Sequence, residues 1–147
     1  MDYVARALGD RDLGTAVPFA VRHISTNRLI GSTRYTNIAP QGRCLEIGYT
    51  WYAPEYWGTG VNTECKYLLL EHAFETLGCI RVEFQVNKDN ARSRAAVLRL
   101  GAVEEGVLRS RMVRRNGERI DAVFFSILDN EWPAVKARLE RALNARR

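Results

Sequence analysis

From Val61 the apolar residues recur at Val61, Cys65, Leu68, Leu69, His72, Ala73 and Leu77, a spacing that lays one stripe along a helix, with Gly78 to close it. The flanking segments follow a shorter period. β-branched and aromatic residues dominate 18–24 and 29–38, with 25–28 as the loop of a hairpin, and after the turn at 39–43 a third strand fills 45–52. Residues 80–86 (IRVEFQV) alternate apolar and polar side chains, as a half-buried strand does. Strand, helix and strand in that order predict a right-handed crossover and parallel pairing of the two strands. Tyr3, Val4 and Leu8 at helical spacing predict a short helix over 2–9. A second short helix follows the polar NKDN segment over 91–100 and ends at Gly101. Asn116-Gly117 marks a hairpin between strands at 106–113 and 121–128, and 130–146 closes the chain as a helix. The pattern predicts an α+β (mixed α/β) fold: a mostly antiparallel twisted sheet around one βαβ unit.

Composition narrows the class. With 147 residues and 46% hydrophobic content, one domain spanning the whole chain can bury its own core. Cys44, Cys65 and Cys79 are odd in number, irregular in spacing and without a CxxC pair or histidine cluster, so reduced thiols in a cytoplasmic protein are expected and no metal site is. No apolar run reaches the ~18 residues that span a bilayer, and no signal peptide opens the chain, so a soluble protein with no membrane partner is expected. Lys and Arg number 22 against 17 Asp and Glu, a formal charge of +5 that would suit a phosphorylated ligand, an acidic protein partner or nucleic acid, although a well-solvated surface is the preferred reading. Arg109, Arg111, Arg114, Arg115 and Arg119 crowd the late hairpin, but no stacking-aromatic pattern accompanies them, so a solvated hairpin is preferred to a nucleic-acid site.

The candidate chemistry lies where the third strand gives way to the long helix. Trp57-Gly58-Thr59-Gly60-Val61-Asn62-Thr63 places two glycines at that junction, where the backbone can approach a ligand and offer N–H groups to an anion. It fits neither a Rossmann fingerprint, which wants a third glycine at Thr63, nor a Walker loop, which wants Gly-Lys-Ser/Thr. Taken alone, a GxG turn is weak evidence, and a purely structural turn is the preferred reading.

The stretches GYTWYAPEYWGTGVNTE, NARSRAAVLRLGAVEEGVLR and DAVFFSILDNEW, in this order of elements, resemble the GNAT acetyltransferases, and within them the RimJ/RimL-like N-acetyltransferases, over nearly all of 18–132. The resemblance implies that the glycine turn, Trp57, Gly58, Thr59, Gly60, Val61 and Asn62, holds the pyrophosphate of acetyl-CoA. Trp57 stands at the family's Q/R position and Asn62 replaces its usual small residue. It implies further that the backbone of Thr50, Trp51 and Tyr52 pairs with the pantetheine arm, their side chains being read as core. Asn90 and Ser93 match the family's N-x-x-S/A pattern beside the pantetheine, while the residues alone equally make Asn90 a helix cap.

Acetyl transfer to an amine needs a neutral amine, a polarised thioester carbonyl and a thiolate that can leave. Glu46 is the candidate general base: alternation puts Leu45, Ile47, Tyr49 and Trp51 on the opposite face, and a carboxylate among apolar neighbours has a raised pKa. A solvated or arginine-paired Glu46 is the competing reading. The tyrosine acid of many family members falls at Val97, leaving Ser93 as a hydrogen-bonding substitute. His23 and His72 read as packed or solvated residues. Relative to the family the chain lacks the first strand and first helix, and the expectation is a shortened chain that self-associates as a homo-oligomer. The leading function is acetyl-CoA-dependent N-acetylation of a primary amine, on a protein N-terminus or a small molecule. An acyl-CoA-binding module without a competent acceptor site is the alternative.

Overall fold

The computed structural model describes residues 2–146. In chain order its elements are α1 (Tyr3–Asp12), β1 (Ala16–His23), β2 (Arg28–Ala39), β3 (Cys44–Tyr52), α2 (Val61–Glu71), β4 (Arg81–Asn87), α3 (Ala91–Leu100), β5 (Val103–Val113), β6 (Arg119–Leu128) and α4 (Trp132–Asn144). The strands form one sheet in the order β1-β2-β3-β4-β6-β5, antiparallel except where β3 meets β4. The meander, the βαβ unit and the late hairpin predicted from the sequence are all present. Gly117 turns that hairpin at φ +82, where the left-handed backbone favours glycine.

One face of the sheet carries the core. Leu45, Ile47, Val82, Phe84, Val123, Phe125 and Ile127 pack there with Leu70 and Ala73 of the long helix, Val97 and Leu100 of α3, and Val135 and Leu139 of α4. The other face is polar at its centre, with Arg34 and Glu46 buried on it, and α1 covers part of it.

Two helical stripes differ from expectation. On the long helix the buried residues are Lys66, Leu69 and Leu70, continuing through Ala73 and Phe74 in the π-helical turn His72–Thr76, while Leu68 and Leu77 are exposed. The stripe is rotated because Leu70 and Phe74, not Leu68 and Leu77, point at the sheet. Leu70→Ala is therefore expected to cost about 2–5 kcal/mol in urea unfolding, and Leu68→Ala less than ~0.5 kcal/mol. On α1, Tyr3, Val4 and Leu8 are exposed and only Ala7 is buried. That helix is held by polar contacts instead: Arg34 bonds Asp10 at 3.1 Å, and its guanidinium lies 4.7 Å from the Tyr3 ring.

A third difference matters more. The β2–β3 register shifts between Ser32/Arg34, and Tyr49 takes φ +52 in a bulge. One extra residue flips the alternation beyond it. Tyr49 and Trp51 thus share the polar face with Glu46, against the expectation that they lie opposite it, and Tyr3 meets Trp51 edge-on at 6.2 Å. Trp51 is half exposed, so it is not core.

Candidate active site

β3 and β4 pair in parallel through Cys44↔Arg81, Leu45↔Val82 and Glu46↔Glu83, and then part. Ladder bonds in an antiparallel pair alternate in direction, and the Ala53 N–H reaches the Ile30 carbonyl at 2.7 Å. Trp51 accordingly turns its backbone to β2, and Thr50 and Tyr52 turn theirs toward the opening. The Tyr52 carbonyl accepts from Trp57 Nε1 at 2.9 Å, which bends the chain into the glycine turn. The gap between the splayed strands is a cleft of about 1000 Å³.

The predicted binding residues converge on this cleft by element. From β3 come Thr50, Trp51 and Tyr52; from the turn and first helical turn, Trp57, Gly58, Gly60 and Asn62; from α3, Asn90 and Ser93. Thr59 and Val61 are the exceptions, facing a smaller depression on the far side of the turn beside His23 and Glu64. Gly60 precedes the long helix at φ +99 with no side-chain cap, so the first N–H groups of the helix are left to a ligand or to water. Asn62 does not crowd the turn, because its Oδ1 accepts from the Tyr52 hydroxyl at 3.2 Å. Asn90 is a helix cap, its Oδ1 accepting from the Ser93 N–H at 3.0 Å. Burial pushes the Tyr52 phenol up, which removes it as a ready proton donor.

Glu46 is the last residue of β3 paired to β4, so its carboxyl sits at the apex of the splay, on the polar face. It is 7% exposed, and Asn37 Nδ2 donates to Oε2 at 2.6 Å. Burial raises its pKa; the Asn37 bond opposes that, Glu83 adds to it, and Arg111 opposes it. The neighbours are therefore polar, not apolar as expected, and burial does the raising. Glu83 is drawn off by Arg81 at 2.7 Å, and Arg81 also binds Glu105.

Sequence reasoning missed four cations that line the cleft: Lys66, Arg92, Arg99 and Arg146. Lys66, on the buried stripe, donates to Thr50 Oγ1 at 2.6 Å. Arg92 stacks its guanidinium 4.1 Å from the Trp57 ring, and Arg146 donates to the Gly58 carbonyl at 3.0 Å. Lys66 was detectable in principle, standing three and four residues before Leu69 and Leu70 and seven and eight before Ala73 and Phe74. Arg146 was not, because only the packing of α4 brings it 88 residues back along the chain. Among the described residues no group of His, Cys, Asp and Glu could hold a metal ion, and no helix is long and apolar enough to cross a membrane.

Residues 2–103 match the family model of the acetyltransferase (GNAT) domain. The "Putative ribosomal N-acetyltransferase YdaF" of Bacillus subtilis is 37% identical over 108 residues, which are 74% of this chain and 58% of YdaF. The chain therefore spans little more than half the length of that relative. Among solved structures, an acetyltransferase fold from T. thermophilus superposes with a TM-score of 0.87 at 40% identity, covering 96% of this chain and 72% of that one. Mycobacterium smegmatis RimJ in complex with CoA-disulfide superposes with a TM-score of 0.79 at 26% identity, covering 94% of this chain and 65% of that one. Splayed strands, the glycine turn and these matches agree: the chain belongs to the GNAT acetyltransferase family, in its RimJ/RimL-like branch.

Proposed function

We propose that this chain, as a single domain, is an acetyl-CoA-dependent N-acetyltransferase that passes the acetyl group directly to a primary amine. The observation that carries the reading is the splay after Glu46↔Glu83, which opens unpaired β3 backbone onto the same cleft as the uncapped helix N-terminus. The turn at Gly58–Asn62 supplies N–H groups for the pyrophosphate, and the backbone of Thr50 and Tyr52 pairs with the pantetheine and polarises the thioester carbonyl; Trp51, expected to share that role, has its backbone turned to β2 instead. Ser93, on the wall of the cleft, steadies the leaving thiolate by hydrogen bonding, a minor contribution because a thiol of pKa near ~8.5 leaves readily.

Glu46 is the base in this reading. From the apex of the splay it takes a proton from the acceptor's ammonium, directly or through a water, and the neutral amine so formed attacks the thioester carbonyl as the C–S bond breaks and CoA leaves as the thiolate. Tyr49 and Trp51 flank the face on which the acceptor arrives and are exposed on it. An α-amino group, with a pKa of about 7.7–8.0, is more easily deprotonated than a lysine near ~10.4. Protein N-termini are thus the favoured acceptors, and small weakly basic amines come next. Self-association as a homo-oligomer is part of the proposal.

The test is thiol release from acetyl-CoA with a panel of acceptors: short peptides with free Ser, Ala or Met N-termini, their N-blocked counterparts, and small amines. Turnover with free but not blocked N-termini is expected. Binding of acetyl-CoA with no turnover on any amine would contradict the enzymatic reading and leave a binding module.

A further inference from the structure

Lys66 is 5% exposed on the wall of the cleft, and Thr50 Oγ1 is the partner of its amine. Among the described residues no carboxylate lies within ion-pair distance of it. Thr50 Oγ1 lies 2.8 Å from Thr33 Oγ1, and the Thr33 hydroxyl points at the Gly48 carbonyl, 3.5 Å away. The Gly48 carbonyl can only accept, so the chain runs one way: Lys66 to Thr50, Thr50 to Thr33, Thr33 to Gly48. It ends on the bulge. From the opposite face Arg34 holds the same bulge, its guanidinium 4.5 Å from the Tyr49 ring. The turn of backbone that parts β3 from β4 is therefore clamped on both sides.

We propose that Lys66 is a positioning residue for acyl transfer: through Thr50 and Thr33 it fixes the Gly48–Tyr49 bulge in the shape that turns the unpaired backbone of β3 into the cleft. The inference rests on the acetyl-transfer reading above and adds a residue to it. Burying an amine without a counter-ion opposes folding, and burial lowers the Lys66 pKa to about 7. A scaffold alone would be served as well or better by an apolar side chain of the same length. Function and stability are thus separable here.

Lys66→Met keeps the length and removes the donor. Its melting temperature is expected to equal or exceed that of the parent, and its affinity for acetyl-CoA to stay within about threefold, because the pyrophosphate is gripped elsewhere. Its kcat, measured with the best acceptor of the panel or, failing one, as thiol release by hydrolysis of bound acetyl-CoA, is expected to fall ~10–100-fold, the scale of a small misplacement of reacting groups. Thr50→Val should fall similarly, Thr50→Ser should recover, and the Lys66→Met/Thr50→Val double variant should be no worse than the poorer single one. An unchanged kcat in Lys66→Met, a parallel loss of kcat, affinity and melting temperature, or strictly additive effects would each overturn the proposal. If the parent protein itself binds no acetyl-CoA, the functional reading fails instead.

Discussion

Gly60→Val is expected to raise the dissociation constant for CoA about 100-fold, close to ~2.7 kcal/mol. At φ +99 a β-branched residue is strained whatever space surrounds it, and the left-handed conformation alone costs ~1–2 kcal/mol for an ordinary L-residue. Space does not decide the matter, since the nearest atom to an added Cβ is the flexible end of Arg146 at 3.0 Å. The chain relieves the strain by rotating the peptides of the turn, and the N–H groups then no longer converge on one anion. Gly42→Ala serves as control, being a glycine of ordinary φ in an exposed turn with 3.7 Å to its nearest neighbour. Isothermal titration with CoA reads both; wild-type affinity in Gly60→Val would remove the turn from the binding site.

Glu46→Gln is expected to lower kcat by about 100-fold or more, within the range of a general base. The substitution is nearly isosteric and keeps an oxygen for the Asn37 amide, so loss of activity cannot be ascribed to a collapsed site. The pH dependence supplies the sharper signature. Because burial raises the folded pKa above the unfolded one, the carboxyl binds its proton more tightly in the native state. Stability from this group is greatest below the unfolded pKa and is lost as pH rises through the folded pKa, so the glutamine variant should match or exceed the parent in stability at neutral pH. Activity runs the other way. The acid limb of kcat against pH follows deprotonation of Glu46, shifted upward from the usual carboxylate range, and should flatten in the same variant. A wild-type limb in Glu46→Gln would take Glu46 out of the mechanism.

Much of the fold was legible because its periodicities are long and the turns carry their own chemistry. The βαβ unit, the meander, the caps at Asn90 and Gly101 and the Asn116-Gly117 hairpin all lie near their predicted places. What was not legible has particular causes. The predicted stripe of the long helix holds at Leu69 and Ala73 but not at Leu68 and Leu77, because a π-helical turn at His72–Thr76 lets Phe74 rather than Leu77 reach the core. Strict alternation along β3 failed because nothing local in Gly48-Tyr49 announces a bulge. That single extra residue moved Tyr49 and Trp51 to the acceptor side. β5 begins at Val103, three residues ahead of the expected start, and is exposed along nearly its whole length, so hydrophobic alternation could not mark it. Of the candidate site, the glycine turn and Glu46 were named from the chain alone, and both lie at the splay of β3 and β4. Lys66 could not be valued until its neighbours Thr50 and Thr33 were seen in contact.

The central claim is that the cleft between β3 and β4, with the turn at Gly58–Asn62, grips acetyl-CoA. Thermal unfolding of the intact chain with and without the ligand tests it most directly. At a hundred times its dissociation constant, acetyl-CoA or CoA should stabilise the native state by ~2.7 kcal/mol, seen as a rise of several degrees in Tm that Gly60→Val abolishes. An unchanged Tm at millimolar acetyl-CoA and CoA would contradict the account.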